Sequence, residues 1–322
     1  MCIDHSLFLK HVDTSTTIIL VYVDDIVLIG NNSEEITHIT MLLDQDFKIK
    51  NLGDLTYFLG FEVARNRTEI HLCQRKYTLD LLQEAGMIDC APMPTPMVHS
   101  TPLSAEQGTQ LNENDCTTYR RLIGRLIYLT NTKPDISFSV NKLSQYVYAP
   151  TTVHQRVAHR ILRYLKLAPW SGIFFHNDNL MQVEAYSDSD WATGSETRRS
   201  TTGSSIYLGN SLISWKSKKQ QTISRNSSKV KYLALAVTTC EIQWLIYLLQ
   251  DLQLHHYKPA LLYCDNQSAI QIISNQVFHE RIKHIEIDSH VVREKLNNSL
   301  IKLLPISSSM QAADIFMSQP ES

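Results

Sequence analysis

The sequence predicts an α/β fold, on three observations. Residues Ile18 to Ile29 read IILVYVDDIVLI, two β-branched runs that meet at an acidic pair. From Met181 the pattern turns strand-rich, with QVEAYSDSDWA, STTGSSIYLG and NSLISWKSK spaced as three successive antiparallel strands, and then alternates helix, strand, helix. Between these regions lie two segments whose apolar residues recur at i, i+3 and i+4. Such an order places one sheet under a cover of helices.

The first element is a buried hairpin with Asp24 and Asp25 at its tip, because β-branched residues favour the pleated, packed surface of a strand. Asn31, Asn32 and Ser33 end its second strand and can cap a helix. For that helix EEITHITMLLDQDF supplies acids in the first turn and apolar residues at Ile36, Ile39, Leu42 and Leu43. LGDLTYFLGFEVARNRTEIHLCQ predicts another hairpin, since Phe58, Gly60 and Glu62 separate apolar positions and an Asn-Arg turn divides two strand-like stretches. From Pro92 to Asn114 the composition shifts to Pro, Thr, Ser, Gln and Asn, the mark of a linker or long exposed loop and the first candidate boundary.

Tyr119, Leu122, Ile123, Leu126 and Ile127 then form one amphipathic helix, with Arg121 and Arg125 on another face. Ala158, Ile161, Leu162 and Leu165 form the next, with Arg156, Arg160 and Arg163 beside the stripe. These arginines read either as solvated ends of core-packed helices or as phosphate contacts. The three strands follow, then a long helix from about Ser227 to Leu254, a strand at ALLYCD, a helix at NQSAIQIIS and a final mixed segment. There is no internal repeat and no low-complexity tract.

A length of 322 residues leaves room for two or three domains of roughly 100–200 residues each. A formal charge of −2 excludes a globally basic nucleic-acid sleeve, so polyanion binding must come from local clusters. The cysteines Cys2, Cys73, Cys90, Cys116, Cys240 and Cys264 contain no C-x-x-C pair, which argues against a zinc ribbon or a secreted disulfide framework and for a reducing, intracellular setting. The start MCIDHSLFLK lacks the pattern of a signal peptide, and no run of about 18 uncharged apolar residues spans a membrane, so a soluble protein with no membrane partner is expected.

Paired carboxylates at a tight turn are either a polar hairpin tip or ligands for a divalent metal, since Mg²⁺ takes hard oxygen ligands. YVDD at Tyr22–Asp25, embedded in apolar strands, resembles motif C of reverse transcriptases. The resemblance continues in order through NLGDLTYFLGFEV, YRRLIGRLIYLTNTKPDISFSVNKLSQY, HRILRYLK, AYSDSDWA, RRSTTGSSIYLG, ISWKSKKQQTISR, CDNQSAI and ADIF, and covers nearly the whole chain. Together these segments are similar to the C-terminal part of a Ty1/copia-type LTR retrotransposon Pol polyprotein, from reverse transcriptase motif C through RNase H. The resemblance implies a partial polymerase palm over 1–95, a linker with helical thumb and connection over 96–180, and an RNase H-like sheet with flanking helices over 181–322.

It also implies chemistry. Asp24 and Asp25 match polymerase metal ligands, and the further aspartate of such enzymes lies well upstream; the 23 residues before Asp24 leave no room for it or for the fingers, so no intrinsic polymerase activity is expected. Family RNases H cut the RNA of an RNA–DNA hybrid with four carboxylates holding two Mg²⁺ (or Mn²⁺) ions. Asp188, Asp265 and Asp314 match three of them, with Asp190 a neighbouring turn residue. The fourth belongs in a segment resembling S-R-S-S-T-E-A-E-Y. Here that segment is SRNSSKVKY, with Lys229 and Lys231 where glutamates are expected and Lys231 at the metal ligand. An ammonium has donors only and the wrong sign for a metal site.

The expectation is a polymerase/RNase H fragment with impaired cleavage. Its rivals are a non-catalytic hybrid-binding protein and an active nuclease in which Glu184 or Glu241 substitutes for the missing ligand. The implied partners are RNA, DNA and their hybrid. Contacts to them are expected from Arg198 and Arg199 and from Lys216, Lys218 and Lys219 beside Trp215, as well as from the helix arginines. Solvated loop lysines are the alternative. His279, His284 and His290 lack cysteines at finger-like spacing and read as helix surface rather than as a metal site.

Overall fold

The computed structural model describes residues 6–98, 103–177, 180–191, 197–224, 227–254, 258–274 and 286–318. The fold is α/β, with three sheets among the described residues, met in chain order.

Strands β1 (Leu7–Val12), β2 (Ser15–Tyr22) and β3 (Asp25–Gly30) form an antiparallel meander. Tyr22 pairs with Asp25, which leaves Val23 and Asp24 as a two-residue turn, with Val23 at a φ of 50°. Tight hairpin turns demand that left-handed geometry. Helix α1 (Ser33–Phe47) follows, its first turn capped by the Asn32 side chain, which accepts from the Glu34 and Glu35 N–H groups at 3.0 and 3.3 Å. The hairpin was expected to be buried. Instead Tyr22, Ile26 and Ile29 are exposed, and in β2 and β3 only Thr17 and Val27 are buried. Helix α1 packs on β3 and covers too little of three strands to hide both faces.

The second sheet joins β4 (Tyr57–Phe58), β5 (Phe61–Arg65) and β6 (Glu69–Cys73) to β7 (Gly172–His176), all antiparallel. Asn66 shapes the β5–β6 turn by accepting from the N–H groups of Thr68 and Glu69, both at 2.8 Å. Gly172 is required in β7: a Cβ there would stand 2.2 Å from the Leu72 carbonyl oxygen.

Helices α2 (Arg75–Glu84), α3 (Glu113–Leu129), α4 (Ser137–Ser144) and α5 (Thr152–Leu167) enclose a core that includes Leu82, Tyr119, Ile123, Leu143, Ile161 and Leu162. The segment from Pro92 to Asn114, expected to be a linker or exposed loop, is docked on this core. Met97 and Leu103 are buried in it, Met93 N–H donates to the Arg163 carbonyl at 3.1 Å, and Arg160 donates to the Thr95 carbonyl and hydroxyl at 3.1 and 2.8 Å. Two apolar anchors in a polar stretch suffice to hold it. The β6–β7 pairing and the packing of Leu81 and Leu82 on α3 and α5 cross the division placed between residues 95 and 96.

The third sheet contains β8 (Val183–Ser189), β9 (Thr201–Leu208) and β10 (Ser211–Lys219) as an antiparallel meander. Helix α6 (Ser227–Asp251) leads to β11 (Ala260–Cys264), and helices α7 (Gln267–Ser274) and α8 (Glu286–Asn297) lead to β12 (Ile301–Pro305). The strand order is β10-β9-β8-β11-β12, with β11 parallel to both of its neighbours. Tyr232, Leu235, Ile242 and Ile246 of α6 pack on Val183, Ala185, Ile206 and Leu262 of the sheet. No membrane span was expected, yet Lys229–Asp251 is long and apolar enough for one, with 56% of its most apolar window buried. Its buried side packs on the sheet through Tyr232, Leu235, Ile242 and Ile246, and Val237, Trp244 and Tyr247 form an exposed stripe along the other.

Candidate active site

Four elements bring the sequence-predicted acids together. Along β8, Val183, Ala185 and Ser187 are buried, with the Ser187 hydroxyl accepting from Thr238 of α6 at 3.0 Å. Strand alternation then gives Glu184, Tyr186 and Asp188 to the other face. Tyr186 pairs with Tyr263 in parallel register, so two residues further on Asp188 and Asp265 emerge side by side at the carboxyl ends of β8 and β11. Asn266 caps α7, its side-chain oxygen accepting from Ala269 N–H at 2.8 Å, which fixes the exit of Asp265. Asp314 opens a short 3₁₀ turn, Asp314–Phe316, that lies on β9.

Gly203, opposite Asp188 in the β8–β9 register, makes that approach possible. A Cβ at 203 would stand 2.6 Å from the Ala313 carbonyl oxygen and 2.7 Å from the Met317 side chain. Gln311 helps seat the same segment, donating to the Ser187 carbonyl at 3.4 Å.

Lys231, in the second turn of α6, points its ammonium between the acids. Nζ donates to Asp188 Oδ1, and to Asp265 Oδ1 at 2.9 Å. The Ser308 hydroxyl donates to the other oxygen, Asp265 Oδ2, at 3.1 Å. Asp314 lies close enough to Asp188, Asp265 and Lys231 for each of them to influence its ionisation. All three members of the bridge are shielded, with side-chain exposures of 13% for Lys231, 8% for Asp188 and 15% for Asp265.

Burial pushes the Asp188 carboxyl up to about 6, against the opposing pull of Lys231 and with the help of the Asp265 charge. Burial also raises Asp314. For Lys231 burial works against the charge, but the hydrogen bonds and charges of Asp188 and Asp265 together hold its ammonium above the ordinary lysine value. Two carboxyls therefore hold the ammonium directly, and a third lies within reach of its charge.

This donor set does not fit a two-metal centre. The position between Asp188 and Asp265 where a shared divalent ion would take its oxygens is filled by a tethered ammonium, and among the described residues no group of three or more His, Cys, Asp or Glu is placed to hold a metal. Neither proposed substitute carboxylate reaches the cluster. Glu184 lies four residues back along β8, roughly 13 Å away at strand rise. Glu241 lies ten residues along α6, about 15 Å at helix rise, and accepts instead from Ser214 at 3.1 Å and from Lys216. Asp190 serves its turn, accepting from Thr201 N–H at 2.5 Å. At the other candidate centre Asp24 and Asp25 are exposed at the β2–β3 turn.

The basic residues divide into two groups. Arg125 pairs with Glu84 and lies over the Tyr77 ring, Arg160 holds Thr95, Arg163 donates to the Ala91 carbonyl at 2.7 Å, Lys216 pairs with Glu241, and Lys219 donates to Gln145 at 2.7 Å. Each of these expected phosphate contacts is occupied within the fold. Arg121, Arg156, Arg198, Arg199 and Lys218 are exposed. His279 and His284 lie outside the described residues, as does the side chain of His290. Sequence reasoning missed Gly203, Gln311 and Ser308; the glycine in STTGSS was a readable signal, the other two left none.

Residues 2–99 match the family described as reverse transcriptase (RNA-dependent DNA polymerase). The chain is 42% identical over 311 residues to the retrovirus-related Pol polyprotein from transposon RE2 of Arabidopsis thaliana, a match covering 97% of this chain and 21% of that one. It is 39% identical over 227 residues to an uncharacterised mitochondrial protein of the same plant, covering 70% of this chain and 93% of the other. The foamy viral protease-reverse transcriptase solved in complex with double-stranded DNA aligns over 90% of this chain and 46% of its own, at 14% identity and a TM-score of 0.49. This chain spans about a fifth of the length of the polyproteins it matches.

Proposed function

The chain belongs to the Pol polyprotein family of Ty1/copia-type retrotransposons, and from that premise we propose that it is a reverse transcriptase and RNase H segment whose RNase H site holds an RNA–DNA hybrid without cutting it. Reverse transcriptases and RNases H generally use divalent metals. The single observation that carries the proposal is the Lys231 ammonium bonded to Asp188 and Asp265. An ammonium has no lone pair to give a metal, and its charge repels one from the same oxygens. Without the ion there is nothing to activate water or steady the leaving oxygen, so no cleavage step is assigned to these residues.

What this arrangement can still do is tolerate a polyanion. Lys231 offsets part of the charge of three acids that would otherwise repel a phosphodiester, and Arg198 and Arg199 lie exposed in the segment that precedes β9. Binding of RNA, DNA or their hybrid there falls steeply with salt.

The test is a hybrid-cleavage assay in Mg²⁺ and in Mn²⁺ on the wild-type chain beside Lys231→Glu, with hybrid binding followed by fluorescence anisotropy. The wild type is expected to bind and to cut at least ~10²–10³-fold more slowly than the variant, the range seen when an electrostatic catalytic group is removed. Wild-type cleavage as fast as that of Lys231→Glu overturns the proposal.

A further inference from the structure

Helix α6 buries one side in the sheet, and the side it leaves open is not polar. From Tyr232 onward its exposed residues are Val237, Cys240, Trp244, Tyr247, Gln250 and Asp251. A helix face that meets only water carries charged and polar residues. Here Val237 is 48%, Trp244 58% and Tyr247 51% exposed, and Leu254, just past the helix end, is 45% exposed. Gln243 donates to the Tyr247 hydroxyl at 2.7 Å and settles one edge of the stripe.

The stripe is spaced as a seam. Val237, Cys240, Trp244, Tyr247 and Asp251 follow one another by alternate steps of three and four residues, the repeat through which two helices interlock their side chains. A second seam of the same pitch fits it, and a second copy of this chain supplies one through a two-fold contact, in which the same patch serves on both sides.

Charge sets the direction of that pairing. With the helices parallel, Asp251 of each copy stands level with the other and repels it. With them antiparallel and Trp244 opposite Tyr247 of the second copy, Asp251 falls opposite Cys240 of the second copy. Lys295 of α8, a helix packed along α6, lies close enough to Tyr247 and Cys240 for both to influence its ionisation. Each Asp251 thus approaches a lysine. The Lys295 ammonium donates to Glu294 at 2.8 Å and keeps further N–H donors for a second carboxylate.

The area is that of a reversible dimer. A buried aromatic side chain contributes about 150–250 Å², so these half-exposed apolar groups offer roughly 400 Å² per copy. A two-fold contact buries about twice that, and a polar rim brings the total to roughly 1,000–1,200 Å², the lower limit of specific interfaces.

We propose that α6 is a self-association surface, on which two copies of this chain pair antiparallel through Val237, Trp244, Tyr247 and Leu254, with Asp251 of each facing Lys295 of the other. The contact uses no residue of the carboxylate cluster, so it stands or falls apart from hybrid cleavage at Lys231.

The experiment is sedimentation velocity on the nuclease-treated full chain, from about 1 to 100 μM at moderate salt. The wild type is expected to pass from monomer to dimer within that range. Trp244→Glu should weaken self-association at least 10-fold; Trp244 is exposed, so the substitution spares the core. Asp251→Asn and Lys295→Gln should each weaken it at least 3-fold, and the double variant no more than either alone, because the two residues act as one pair. A chain that stays monomeric to 100 μM, or a dimer indifferent to Trp244→Glu, overturns the proposal. So does a dimer that Asp251→Asn tightens, which is the behaviour of parallel helices.

Discussion

Lys231 carries its charge near the amino end of α6, where the helix dipole disfavours a cation and where the first turn holds no acid to offset it. Asp188 and Asp265 supply that offset, and the lysine in turn relieves their mutual repulsion. Removing one partner of a shielded ion pair costs about 3–5 kcal/mol, so Lys231→Met should lose roughly that much stability to urea. Added Mg²⁺ should raise the melting temperature of Lys231→Met and leave the wild type unmoved; a wild-type Tm that climbs with Mg²⁺ to the same extent would contradict the tethered-cation account.

Protonation at Asp188 gives a second residue-scale prediction. Its folded value of about 6 lies above the unfolded carboxylate's ~3.9. Between about pH 4 and 6 the folded state therefore holds a proton that the unfolded chain has released, and this group's contribution to stability falls as pH rises through that window. The raised Lys231 acts in the opposite range, its contribution intact through neutral pH and lost only above the usual lysine value. Urea denaturation of wild type and Asp188→Asn between pH 4 and 6 checks this: the downward slope should belong to the wild type, and identical slopes would exclude Asp188 as its source.

At the scale of elements, two glycines decide how segments meet. Gly203 lets the Asp314–Phe316 turn lie on β9 and so delivers a third acid to the cluster from far along the chain. Gly203→Val should cost at least about 1–3 kcal/mol, the usual range for overpacking, and should free the C-terminal segment for early cleavage in limited proteolysis. Gly172→Ala should act on a different sheet, since its Cβ meets the backbone of β6 and nothing there can yield without parting β6 from β7. Faster amide exchange across 69–73 and 172–176, with the β8–β12 sheet unaffected, is the expected signature.

For the whole molecule, a net charge of −2 means that the proposed nucleic-acid affinity must come from a few exposed cations. Arg198 and Arg199 are available to phosphate, whereas Arg160 is spent on Thr95. Replacing both Arg198 and Arg199 by alanine should flatten the slope of log affinity against log salt by about 1–2. Arg160→Ala should leave the slope intact while lowering stability; the reverse pattern, read by anisotropy from 50 to 200 mM salt, would reassign the interface.

Taken alone, the sequence determined the strand and helix pattern of the C-terminal sheet, the order of Asp188, Asp265 and Asp314, and the lysine among them, because alternation, capping and motif spacing are local properties of a chain. Only the tertiary structure decided that the polar stretch after Pro92 docks on α5, that β7 completes the sheet begun by β5 and β6, that five of the basic side chains turn inward to partners, and that the Lys231 ammonium bridges two acids rather than facing away. Those outcomes depend on groups far apart in sequence, whose meeting is set by packing and by the need to satisfy buried polar atoms, and no local pattern records it.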